Sequence, residues 1–92
     1  LKRYHGMVFG KVQKVGFRKF AKKNAAELHI TGWVRNRRNG TVEFMAQGNE
    51  AHVKMFLKRL KNAPLPAKVT KLKISELANN SKHQRFKIMP TS

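Results

Sequence analysis

Cysteine and aspartate are both absent from this 92-residue chain. Without cysteine there is no disulfide framework, no thiolate nucleophile and no zinc–thiolate site. Without aspartate, the acidic side chains reduce to four glutamates, at positions 27, 43, 50 and 76. They are scattered along the chain, and no pair of them is spaced for acid–base work on a glycoside. Serine occurs only at 75, 81 and 92, never in a nucleophile-elbow sequence, so covalent serine or cysteine catalysis is excluded. The histidines at 5, 29, 52 and 83 show neither HxxxH nor HxH spacing, and we read them as solvated. No apolar run approaches the roughly 18–20 residues that span a bilayer. The opening residues Leu1 to His5 lack the apolar stretch of a signal peptide. The expectation is a soluble, cytoplasmic, single domain over 1–92, with no membrane partner.

Positive charge is abundant. Lysine and arginine number 21, for a formal charge of +17. That balance favours anionic partners: nucleic acid, an anionic surface or a small anionic substrate. It also sets the chain against itself, which favours a monomer. The basic residues run from Lys2 to Lys87 and are not gathered into one arm.

The order of elements follows from periodicity. Residues 3–10 are rich in β-formers and read as a first strand, and residues 11–16 as a loop between Gly10 and Gly16. Phe17, Phe20, Ala21, Asn24, Ala25 and Leu28 then fall on one helical face, with Lys19, Lys22, Lys23 and Glu27 on the other. Residues 30–36 form a second strand, Asn39-Gly40 a tight turn, and residues 41–46 a third strand stopped by Gly48. Asn49 caps a second helix carrying Val53, Phe56, Leu57 and Leu60, which runs to about Ala63 before Pro64 and Pro66. Val69, Leu72, Ile74 and Leu77 indicate a fourth strand of undetermined register. Residues 78–84 are a polar loop, and Phe86 and Ile88 a short last strand. The order β-α-β-β-α-β predicts an α+β, ferredoxin-like sandwich: an antiparallel sheet, two helices on one face and a short extra C-terminal strand.

One segment offers chemistry. The loop from Gly10 to Gly16 delivers backbone N–H groups to a helix N-terminus near Phe17, where unpaired amides and the helix dipole favour an anion. Arg18 lies in that first turn, and its guanidinium can grip a phosphate or a carboxylate. Taken alone, these residues describe a phosphate-sized anion site or an ordinary loop beside a solvated arginine. Asn36, at a strand end, reads by itself as a turn former. Trp33 reads as a packing residue, and Phe17, Phe20 and Phe56 as core.

Gly10-Lys11-Val12-Gln13-Lys14-Val15-Gly16-Phe17-Arg18 resembles the acylphosphatase signature G-x-V-Q-G-V-x-F-R. Gly32-Trp33-Val34-Arg35-Asn36, with Gly40-Thr41-Val42-Glu43 after it, resembles that family's second block, at the family's interval. The resemblance spans nearly the whole chain. It implies that Arg18 binds the substrate phosphate, with Gln13, Lys14, Val15, Gly16 and Phe17 completing the cradle. It implies that Asn36 positions the attacking water. It further implies no metal and no cofactor, an acyl phosphate as substrate, and inorganic phosphate or other anions as competing ligands. Lys14 departs from the family's glycine. If the backbone there has positive φ, lysine costs on the order of 1 kcal/mol relative to glycine.

Two other readings compete. The RRM shares this sandwich, but it needs an aromatic octamer on its third strand. Here that strand carries only Phe44, so nucleic-acid binding is expected to be weak and non-specific if present. The other reading is an acylphosphatase-like domain of a larger carbamoyl-transfer maturation protein; the few residues after the last strand argue for a free-standing chain.

Overall fold

A computed structural model describes residues 1–78 and 85–92; most of the expected polar loop over 78–84 therefore lies outside the described residues. The elements are β1 (Lys2–Lys11), α1 (Phe17–Glu27), β2 (Thr31–Asn36), β3 (Val42–Gly48), α2 (Glu50–Lys61), β4 (Lys68–Leu77) and β5 (Phe86–Ile88). The order is the expected one, and boundaries move by a few residues at most. The sheet runs β4-β1-β3-β2-β5. Its four long strands pair antiparallel. The short β5 instead joins β2 in parallel, so the sheet is mixed. The physical reason is that the chain passes from one edge of the sheet at β4 to the other at β5.

Alternation along the strands puts Val8, Val34, Val42, Phe44 and Ala46 in the core, where they are fully buried. Both helices pack on this side. Phe56 of α2 meets the rings of Phe44 and Phe86 edge-on, at centroid distances of 6.1 and 5.6 Å. Phe17 is buried as expected, whereas Phe20 is only half-buried. Asn24, on the apolar face of α1, is satisfied inside: its Nδ2 donates to the Phe20 carbonyl and its Oδ1 accepts from Arg59 of α2 at 2.8 Å.

The register of β4 has a simple cause. Phe9 pairs with Lys71 but Gly10 pairs with Val69, so β4 carries one extra residue at Thr70. This bulge brings Val69 and Leu72 to the same face although they are three residues apart. Leu77, opposite Arg3, then falls on the other face from Leu72 and Ile74.

Candidate active site

The β1–α1 loop is shaped by three residues in the left-handed region. Gly10 has φ 120°, Lys14 φ 61° and Gly16 φ 76°. A Cβ on Gly10 would stand 2.1 Å from the Lys68 carbonyl oxygen, so only glycine allows this approach to the β4 backbone. Val12 is buried and anchors the loop from below. Lys14 carries the strain that glycine would avoid.

Gly16 precedes α1 without any side-chain cap, and no acidic residue occupies the first turn. The first helical bond runs from the Phe20 amide to the Gly16 carbonyl at 3.0 Å. The amides before it have no intrahelical acceptor, and the dipole leaves this end positive. A cleft of about 370 Å³ opens here, lined by Val12, Lys14, Gly16, Phe17, Arg18 and Lys19, with Ile88 of β5. Three of those side chains are cationic.

The anionic side chains are committed elsewhere. Glu27 binds Arg59 at 2.9 Å, Glu76 binds Lys2 at 3.1 Å, and Glu50 lies 3.7 Å from Lys54. Glu43 is buried and gathers Arg35 at 2.7 Å, Arg37 at 3.0 Å and His5 at 2.5 Å. Burial pushes the Glu43 carboxyl up. The hydrogen bonds from His5, Arg35 and Arg37, together with the Arg35 charge, outweigh it and hold the group down at about 2. Arg18 forms no hydrogen bond or ion pair with any described residue. Its side chain lines the cleft.

Asn36 ends β2 on the helix-bearing face, two residues beyond Val34, which pairs with Ile88 of the cleft wall. Its backbone carbonyl accepts from the Ser92 amide at 3.0 Å. Its side-chain Oδ1 is shut off from solvent and has no hydrogen-bond partner among the described residues. Such an atom costs free energy, as does the Arg3 Nε, which is buried without a partner in the same way. Asn36 is not itself among the residues lining the cleft.

The loop and the β2–β3 turn are joined by Gln13. Its Nε2 donates to the carbonyls of Arg37 at 2.7 Å and Thr41 at 2.9 Å. Gln13 therefore spends its amide on the hairpin that carries Asn36, and sequence alone gave no signal of that role. Of the other expected cradle residues, Lys14, Gly16, Phe17 and Arg18 line the cleft, while Val15 packs partly on the core. His5 departs from expectation: it is bound to Glu43 and stands edge-on to Trp33. No group of three or more metal-ligating side chains occurs among the described residues. No described helix is long and apolar enough to cross a membrane.

Comparison with known proteins narrows the class. A family model described as acylphosphatase matches residues 4–88. The acylphosphatase of Geobacillus thermodenitrificans is 40% identical over 89 residues, which cover 97% of this chain and 95% of that one. The crystal structure of acylphosphatase from Bacillus subtilis superposes with a TM-score of 0.93 at 37% identity, over 97% of this chain and 99% of that one. Full-length HypF, in its phosphate- and nucleotide-bound form, matches with a TM-score of 0.88 at 25% identity, over 98% of this chain but 12% of that one. Fold and likeness together define a small ferredoxin-like hydrolase. More narrowly, the chain belongs to the acylphosphatase family, whose substrates are acyl phosphates.

Proposed function

We propose that Arg18 and the loop from Gln13 to Phe17 hold the phosphoryl group of an acyl phosphate, and that Asn36 holds the water that attacks it. The observation that carries this reading is the Arg18 guanidinium, unpaired among the described residues, in a cleft at the positive end of α1; Asn36 ends β2 on the same side of the sheet.

The chemistry asks for little more. An acyl phosphate has a carboxylate leaving group, so the enzyme's task is positioning and the stabilisation of charge on the equatorial oxygens. Arg18 and the first-turn amides of α1 supply donors to those oxygens. The Asn36 side-chain amide, turned so that its oxygen faces the cleft, accepts a proton of the water, whose lone pair then points at phosphorus. The water oxygen bonds to phosphorus as the bond to the acyl oxygen breaks, and the carboxylate departs with that electron pair. An amide is too weak a base to keep the water's proton. The four glutamates are paired away from the loop, so the proton passes to an oxygen of the phosphoryl group. Phosphate and other small anions compete for the cradle, and the protein acts as a monomer without metal or cofactor.

The test is hydrolysis of a simple acyl phosphate, without added metal, by the natural chain and by folded Arg18→Ala and Asn36→Ala. Turnover is expected in the first and lost in both variants. A bell-shaped rate profile tracing to an enzyme carboxylate would sink the proton route. Turnover surviving in either variant would remove that residue's role.

A further inference from the structure

We propose that the face of the sheet turned away from the helices binds a single strand of nucleic acid, with bases stacked on Phe9 and Trp33 and phosphates met by Lys71, Lys73 and Lys87. The residues of this face follow from register. Phe9 pairs with Lys71, Met7 with Lys73 and His5 with Ser75 on one side. Trp33 pairs with Met45 and with Lys87 on the other. All alternate with residues that face the core, and both helices lie on the core side.

Rings and cations interleave across this surface. Phe9, Trp33 and His5 are half-buried, and Lys71, Lys73 and Lys87 are exposed. The Lys71 ammonium stands 5.8 Å from the Phe9 ring centre, and the Arg35 guanidinium 5.0 Å from that of Trp33. Among the described residues, Glu43 is the one carboxylate on this face, and it is buried and saturated by Arg35, Arg37 and His5. Among the described residues, no unpaired carboxylate therefore offsets the lysines of this face. Strand geometry sets Phe9 and Trp33 ~16 Å apart, a few nucleotides of extended chain.

A positive groove with stacking rings is the recognition surface for unpaired bases, since every base has a π-face and every linkage a phosphate. An acidic peptide would satisfy the lysines but would not exchange the Lys71 and Arg35 contacts on the rings for stacked bases. Phe44 of β3 points into the core, and the outward rings come from β1 and β2.

Trp33 is the only tryptophan, so its emission reports on this face directly. An eight-nucleotide oligothymidylate titrated into the natural chain at low salt is expected to quench that emission saturably. Phe9→Leu is expected to weaken binding roughly tenfold while acyl phosphate turnover holds. Oligouridylate in a parallel titration compares ribose with deoxyribose and is expected to quench as well. Absence of saturable quenching by either strand overturns the proposal, and no variant need fold for that result. Equal quenching by base-free polyphosphate of matched charge, or equally tight binding of a duplex, overturns it also.

Discussion

The Gln13 side-chain amide bridges the Arg37 and Thr41 carbonyls, at 2.7 and 2.9 Å, and so ties the loop after β1 to the turn after β2. The residue before Arg37 is Asn36, and the residues after Gln13 form the proposed cradle. One side chain thus sets the spacing between the two proposed halves of the site.

Gln13→Ala should therefore cost both stability and rate. Two hydrogen bonds to the Arg37 and Thr41 carbonyls contribute about 1–2 kcal/mol, readable as a shift in the urea midpoint. Turnover should fall more than substrate affinity, because Arg18 stays while the water shifts relative to it. Gln13→Glu should be at least as harmful, since a carboxylate cannot donate to the carbonyls. Unchanged kinetics in both variants would reduce Gln13 to a loop residue.

Asn36→Ala should separate activity from stability. The Asn36 Oδ1 is buried without a partner, so removing it relieves a desolvation cost. Turnover should vanish while the unfolding midpoint stays equal or rises. A drop of several degrees in Tm would mean that the side chain has a structural role instead.

Lys14→Gly should stabilise the fold. Lys14 sits at φ 61°, a conformation that costs a side-chain-bearing residue on the order of 1 kcal/mol. Lys14 also lines the cleft as a cation, so its loss should raise the KM for an anionic substrate. Chemical denaturation and steady-state kinetics on the same preparation read both effects.

Acid should unfold the protein through Glu43. Its folded pKa, held down at about 2, lies below the ordinary 4.5. A depressed carboxyl contributes stability above its unfolded value and loses that contribution as pH falls from 4.5 toward 2. The full contribution is on the order of 3 kcal/mol. Glu43→Gln should be less stable than the natural chain at pH 7, and the gap should close by pH 2. A gap independent of pH would assign the effect to packing.

Sequence alone was enough for everything that depends on near neighbours. The 3.6-residue spacing of Phe17, Ala21 and Ala25 gives α1, the Asn39-Gly40 pair gives the hairpin, and glycine on either side of Val12 to Val15 gives the loop that ends at Arg18. Those signals are local, because helix and strand periods and turn conformations are properties of short segments. Only the tertiary structure decided which distant groups meet. The extra residue at Thr70 sets the register of β4, and β5 lies parallel on β2 beside Asn36. His5, Arg35 and Arg37 converge on Glu43, and Phe9 and Trp33 share a face with three lysines. The reason is that a one-residue change of register turns every later side chain to the opposite face. Cross-strand partners are fixed by how the sheet assembles, which no short window of the chain contains.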